Sequence, residues 1–425
     1  MKKGAVVISI VAVFAILSLS IAAVPLYKDQ EANLSFFDLD PIIDAAIEQD
    51  VIEALEGNTV AATTEEISEE QNEEPVVIGT SSSVQLSNDQ NEHNGGYVIY
   101  DKTGTSPNEE WTITGYSGNI TSLELGSYAD GKYVKIAEGA FRNCKTLTSV
   151  NLLNCTGLTT IDMAAFYGCT ALEEVSLPSS VTTIGGYAFT NTPWLTSKRN
   201  NVQDTTKLVI VNNILIDGNK AVGTNGKVEI PSTVVKIAPY AFSYNYTMTS
   251  LSFKSRTSTI DIPYRCFALC SKLKTIKLNG VGNIGAYAFT KCTALEEIVD
   301  FDNNLGTIGN AAFSGCTKLA TFDFSGVGGA DNVVIGDQAF MDCTAITSVK
   351  FPQKISTIGT AAFMGCESLR SITFNSATTS VTLNQAAFKD CTKLDTLTKD
   401  SGTTLSVTGT GGTLANAFYN TKIVI

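Results

Sequence analysis

Ten cysteines are the residues of this 425-residue chain best placed to do chemistry. Eight of them hold one position, three residues after a Phe: Cys144, Cys169, Cys270, Cys292, Cys316, Cys343, Cys366 and Cys391. In an exported chain such a count would ordinarily suggest a disulfide framework. Thr192, Asn245 and Thr421 occupy the same position elsewhere, so the site asks for a small side chain, and buried Cys behaves as a small hydrophobe. Buried free thiols are the expectation. The rival is vertical pairing between neighbouring repeats, because a stacking distance of about 4.8 Å lies inside the Cα range of a disulfide. No metal site is expected, since only Cys266 and Cys270 have chelating spacing and no His accompanies them.

The remaining chemistry is sparse. The single histidine, His93, sits in a polar stretch beside Asn94-Gly95-Gly96. No nucleophile elbow, phosphate loop or dinucleotide fingerprint is present. Glu173-Glu174 and Glu296-Glu297 are adjacent in sequence, and adjacent strand residues point to opposite faces, so neither pair can flank one substrate as glycosidase carboxylates do. No catalytic residue and no cofactor is expected.

The elements that position these residues follow from a second pattern: an aliphatic residue, four more residues, then Phe. It ends at Phe141, Phe166, Phe189, Phe242, Phe267, Phe289, Phe313, Phe340, Phe363, Phe388 and Phe418, and Ala precedes every one of these except Phe267. The usual spacing of 22 to 27 residues is the period of a solenoid whose turn is one strand and a short return. One such turn cannot bury its own apolar face and is stable only when stacked. Val175-Ser176-Leu177-Pro178 alternates like a half-buried strand, and the steps from Ile to Phe to Cys suit a short helical return. Gly185, Gly285, Gly309, Gly336 and Gly359 follow the Ile, where a tight corner is expected to need positive φ. The 53 residues from Phe189 to Phe242 hide a turn without its Ala-Phe. There Val228-Glu229-Ile230-Pro231 matches the strand motif, and Leu208–Val211 with Ile214–Ile216 reads as a projecting hairpin within an insertion near 195–227. Trp111-Thr112-Ile113 reads as the first, capping turn, so the folded domain is placed at 111–425.

The unit I-G-x-x-A-F-x-x-C-x-x-L-x-x-[VI]-x-[LF]-P, nearly intact in Ile184 through Phe189 and Ile358 through Phe374, resembles the BspA-type leucine-rich repeat. That resemblance implies an α/β solenoid, a right-handed leucine-rich-repeat superhelix with a concave parallel sheet. It also implies an exported microbial surface protein, some relatives of which are adhesins, and it brings no catalytic residue. The expected solenoid has about twelve or thirteen coils and is about 60 Å long at strand spacing.

Function is expected on the outward side of the concave strands. The position before the central Val or Ile reads Ser149, Glu174, Ser250, Thr275, Glu297, Thr321, Ser348, Ser371 and Thr396. Ser and Thr suit any exposed strand; a row of hydroxyls also offers hydrogen bonds to an extended extracellular protein or glycan, with few aromatic anchors.

Charge divides the chain. Residues 1–110 hold 4 basic and 20 acidic residues, and residues 111–425 hold 25 and 22. Glu65-Glu66, Glu69-Glu70 and Glu73-Glu74 therefore mark residues 28–110 as an acidic, solvated stalk, with a short helix expected near 41–56. Neither half is basic enough to attract nucleic acid. Lys2-Lys3 precede an apolar stretch to Tyr27. Residues 1–27 thus read as an export signal, either an uncleaved transmembrane anchor or a peptide cleaved after Ser20-Ile21-Ala22. The expected place is the cell surface or the extracellular space.

Overall fold

The computed structural model describes residues 87–88 and 95–424, apart from loops at 106–107, 127–130, 201–205, 222–223, 302–304, 328–332, 376–377, 379 and 408–412. The export segment, the helix expected near 41–56 and His93 lie outside the described residues. Among the described residues, no helix is long and apolar enough to cross a membrane.

The repeat builds two parallel ladders, where the sequence pattern had shown one. The front ladder carries the Ser149-type strands in three sheets. One runs Ser122–Glu124, Ser149–Asn151 and Glu174–Ser176; the second runs from Lys227–Ile230 to Glu297–Val299; the third runs from Thr321–Asp323 to Thr396–Thr398. The back ladder is formed by the residues around each pre-Gly Ile, such as Thr160–Ile161, Thr183–Ile184 and Thr307–Ile308. These strands of two to four residues are too short to show a period of two. The apolar member of each points inward, so Ile161, Ile308 and Ile358 are buried.

The return from back to front is a row of turns, and the expected short helix is absent from it. Among the described residues the α-helices are Pro193–Arg199 and Leu414–Ala417. Each turn places two residues at positive φ, one two before the Phe (Ala164, Tyr187, Ala311) and one two after it (Asn143, Lys291, Gly315). Non-glycine residues there cost about 1–2 kcal/mol each. Backbone bonds between coils offset that cost: the Phe166 amide donates to the Ala188 carbonyl at 2.8 Å, and Gly168 to Thr190 at 2.9 Å. Helical i→i+4 bonding would forfeit these inter-coil bonds.

The glycines after the Ile are not at positive φ. Their reason is space. A Cβ on Gly309 would stand 2.6 Å from the Ala286 amide nitrogen, and one on Gly336 2.7 Å from that of Asn310. Glycine lets consecutive coils approach at this corner.

Inside, the Phe rings lie flat on one another. Phe267, Phe289 and Phe313 stack at 5.1 Å with interplanar angles of 3° and 5°, and the column runs on to Phe418. It is interrupted only between Phe189 and Phe242, where Trp194 of the first helix packs on Phe189 at 4.7 Å. In the hidden coil Gly218 lies beneath the Phe242 ring, which occupies the place of its missing side chain.

All ten cysteines are buried and free. The position asks for more than a small side chain. The thiols of Cys169, Cys270, Cys292, Cys316, Cys343, Cys366 and Cys391 each donate to the Phe carbonyl of the preceding coil, at 3.0–3.3 Å. Asn245, whose preceding coil lacks the Phe, donates instead to the Gly218 and Ala221 carbonyls. Thr192 donates to Phe189 and caps the first helix by accepting from the Leu195 amide. Cys, Thr and Asn share a donor, which is the physical reason for that set.

Two boundaries differ from expectation. Gly96–Thr103 pairs antiparallel with Glu109–Gly118, so the ladder starts upstream of Trp111, inside the stretch assigned to the stalk. The hairpin Val209–Val211/Ile214–Asp217 forms, but it does not project: Ile214–Leu215 pairs in parallel with Lys236–Ile237, and Val209, Ile214 and Leu215 are buried. It is the back strand of the hidden coil, and Val228–Ile230 lies in that coil's front strand. An Arg199–Asp217 pair, with nitrogen–oxygen distances of 2.8 and 2.6 Å, ties the helix to it.

Candidate binding surface

The nine residues singled out in the sequence fall at one strand position of the front ladder, in three edge-to-edge runs. Ser149 pairs with Glu174, Ser250 with Thr275, Thr275 with Glu297, Thr321 with Ser348, Ser348 with Ser371, and Ser371 with Thr396. Each precedes an inward-facing apolar residue, for example Val150, Ile276, Phe322 and Val349, all buried. Core packing thus sets the register, and a one-residue slip would turn the whole row inward. Glu174, Glu297, Thr321 and Thr396 are exposed; Ser149, Ser250, Thr275, Ser348 and Ser371 are half-buried between neighbours.

The row is not continuous. The strand pairing stops between Ser176 and Lys227 and again between Val299 and Thr321. At the second break a cleft of about 340 Å³ opens, lined by Glu297, Val299, Phe301, Thr321 and Asp323 among others. Phe301 packs against Phe322 and Phe324 beneath it. Nothing in the repeat pattern signals this cleft, because Glu297 and Thr321 obey the same spacing rules as their neighbours.

The adjoining outward column carries the charges. Lys277 reaches Asp300 at 3.1 Å, and Lys350 reaches Asp323 at 2.8 Å. Partial burial pushes the Asp323 carboxyl up, but hydrogen bonds from Lys350 and from the Ser325 hydroxyl and amide outweigh it and hold the group below its ordinary value. These exposed pairs are of the kind that contributes about 0–1 kcal/mol. Among the described residues no cluster of three His, Cys, Asp or Glu could hold a metal ion.

The buried thiols take no part in this surface. Burial pushes the Cys155 and Cys169 thiols up to about 12, and holds Cys266, Cys292, Cys316 and Cys366 well above the ordinary thiol value. They are protonated donors at neutral pH, unlike the thiolates that act as nucleophiles.

Two stacked parallel ladders around columns of Phe, Ile and Leu define a leucine-rich-repeat solenoid. The BspA type leucine rich repeat region matches residues 116–207, 224–328 and 330–424, in six copies. The chain belongs to that family. Among solved structures, a leucine-rich repeat protein from Bacteroides ovatus is 20% identical over 76% of this chain and 79% of its own, with a TM-score of 0.39. One from Eubacterium ventriosum is 19% identical over 77% and 94%, with a TM-score of 0.40. A leucine rich cell surface protein from Faecalibacterium prausnitzii is 18% identical over 75% and 96%, with a TM-score of 0.29. No curated protein sequence matches the chain.

Proposed function

We propose that the chain is a non-enzymatic binding module displayed outside the cell, adhesive in role, which engages an extended protein or glycan with the front ladder. The observation that carries this reading is the outward row in two runs, Ser250 to Glu297 and Thr321 to Thr396, each held in register by a buried core and presenting mainly hydroxyls on either side of the cleft. Such a row makes many weak contacts, and display in many copies supplies strength through avidity. The basic-then-apolar N-terminus, Lys2-Lys3 followed by residues 5–27, supports export, either anchored or released. The absence of any converging nucleophile and base from the sequence motifs supports binding over catalysis. Probing an array of matrix proteins and glycans with the purified chain tests the reading. Selective, saturable binding is expected; no binding across the array would favour a structural spacer.

A further inference from the structure

Beyond the front ladder, we propose that the tyrosine and arginine row on the turns from Tyr187 to Tyr287 is a second binding surface, whose ligand is an acidic glycan strand. Four rings lie in contact along the turns, with the hidden coil falling between the first two: Tyr187 to Tyr240 at 4.4 Å, Tyr240 to Tyr264 at 5.5 Å, and Tyr264 to Tyr287 at 5.8 Å. The Arg265 guanidinium lies over Tyr264 and Tyr287, at 5.6 and 5.3 Å from the ring centres. Tyr187, Tyr240, Arg265 and Tyr287 all sit at positive φ, at the turn position that other coils give to Ala, Gly or Gln, as in Ala164, Gly139 and Gln338. Filling the gap left by the missing Ala-Phe explains Tyr240 alone, which is buried and lies over Gly186. Tyr264 and Tyr287 flank a complete Phe267–Phe289 stack and remain half-buried.

The ring geometry also sets this row apart from the core column. Tyr264 is turned 79° from Tyr240 and 76° from Tyr287, so the row does not close into a flat stack as the Phe column does, and Arg265 lies against its rings. Turned aromatic faces repeated once per coil suit a ligand that repeats its own rings, which favours a glycan over a folded protein. The charge selects an acidic one. The turns at 185–192, 238–246, 263–269 and 285–293 hold no carboxylate and two cations, Arg265 and Lys291; the next turn, 309–317, is also free of carboxylates, and the flanking acids are Asp162 before the row and Asp337 and Asp342 two turns after it. Asp261 on the back ladder accepts from Asn283. An arginine held over aromatic faces is well suited to planar carboxylate recognition.

Calorimetric titration of the full chain with oligogalacturonate, and with neutral cellohexaose as the comparison, tests the proposal. Oligogalacturonate should bind, more weakly as salt rises, and cellohexaose at least tenfold less. Arg265→Gln and Tyr264→Leu should each lower the oligogalacturonate affinity at least tenfold at an unchanged melting temperature, while Lys393→Gln, an exposed lysine outside both surfaces, leaves it intact. If either variant melts early, Lys291→Gln, on an exposed side chain, should still weaken binding about threefold. No binding of oligogalacturonate, equal binding of cellohexaose, or indifference to both Arg265→Gln and Lys291→Gln would overturn the proposal. Capture of a matrix protein through these residues, with neither glycan bound, would overturn it too.

Discussion

Replacing Phe313 with Ala removes a wholly buried ring stacked at 5.1 Å on Phe289 and 5.2 Å on Phe340. Phe→Ala in a core costs about 3–5 kcal/mol, more when the site cannot collapse. Collapse is hindered here, because the Phe289 amide is bonded to Ala312 and the Phe313 amide to Ala339, both at 2.7 Å. Each aromatic pair adds about 0.5–1.5 kcal/mol beyond its buried area, so losing two stacks places Phe313→Ala near the top of the range, at about 4–5 kcal/mol. Phe418 is nearly as buried but stacks only on Phe388, at 5.1 Å. Phe418→Ala should therefore cost about 0.5–1.5 kcal/mol less, and its effect should stay near its own coil, because among the described residues its ring stacks on one side only. Urea unfolding followed by circular dichroism, with hydrogen exchange to locate the loosened coils, measures both. Equal shifts of the midpoint, with exchange rising equally along the chain, would refute a column that is stabilised from both sides.

Other expectations follow from the same packing. The buried thiols, with folded pKa raised above the unfolded value of about 9, stabilise the fold fully below that pH and lose their contribution as pH rises toward about 12. Urea midpoints should fall over that window, by about 1.4 kcal/mol per thiol per pH unit at the steepest; a flat profile would contradict the burial argument. Unreduced protein should react with a thiol reagent at all ten cysteines in denaturant and at almost none when native, and a need for prior reductant would show disulfides instead. Gly309→Ala should destabilise far more than Gly326→Ala, since a Cβ meets the Ala286 backbone at the first and nothing within 4 Å at the second; equal melting temperatures would remove the close-approach account. Lys291→Gly, at φ 54°, should be neutral to stabilising by up to about 1 kcal/mol, read from the same melts.

How much of this was legible in the sequence depends on how often each constraint recurs. The Phe and Cys columns were, because every coil repeats the same solution and a few exceptions cannot hide it. The front row was legible for the same reason: Ser348, Ser371 and Thr396 stand at one fixed offset before a buried residue. The back ladder was not, since Thr183–Ile184 and Thr307–Ile308 are only two residues long. The glycines were located but misread, because spacing alone does not distinguish a corner needing positive φ from one needing room. The hairpin at Val209–Asp217 was seen, but burial of Leu215 depends on a coil 22 residues later. The cleft beside Glu297 arises from a lapse in pairing between strands that obey the repeat.

The central claim, that the front ladder binds, is tested most directly by attachment of cells or beads displaying the chain to whichever matrix protein or glycan it captures. The comparison is between wild type, the triple variant Ser250→Lys, Thr275→Lys and Thr321→Lys, and Ile210→Lys on the partly exposed hairpin residue. Surface changes usually cost under about 0.5 kcal/mol each, and lysines on the register partners Ser250 and Thr275 add like-charge repulsion of about 0.2–1 kcal/mol, so attachment is compared at a temperature well below the melting point of all three proteins. The account predicts that the triple variant loses attachment while Ile210→Lys keeps it. Full attachment by the triple variant would contradict it.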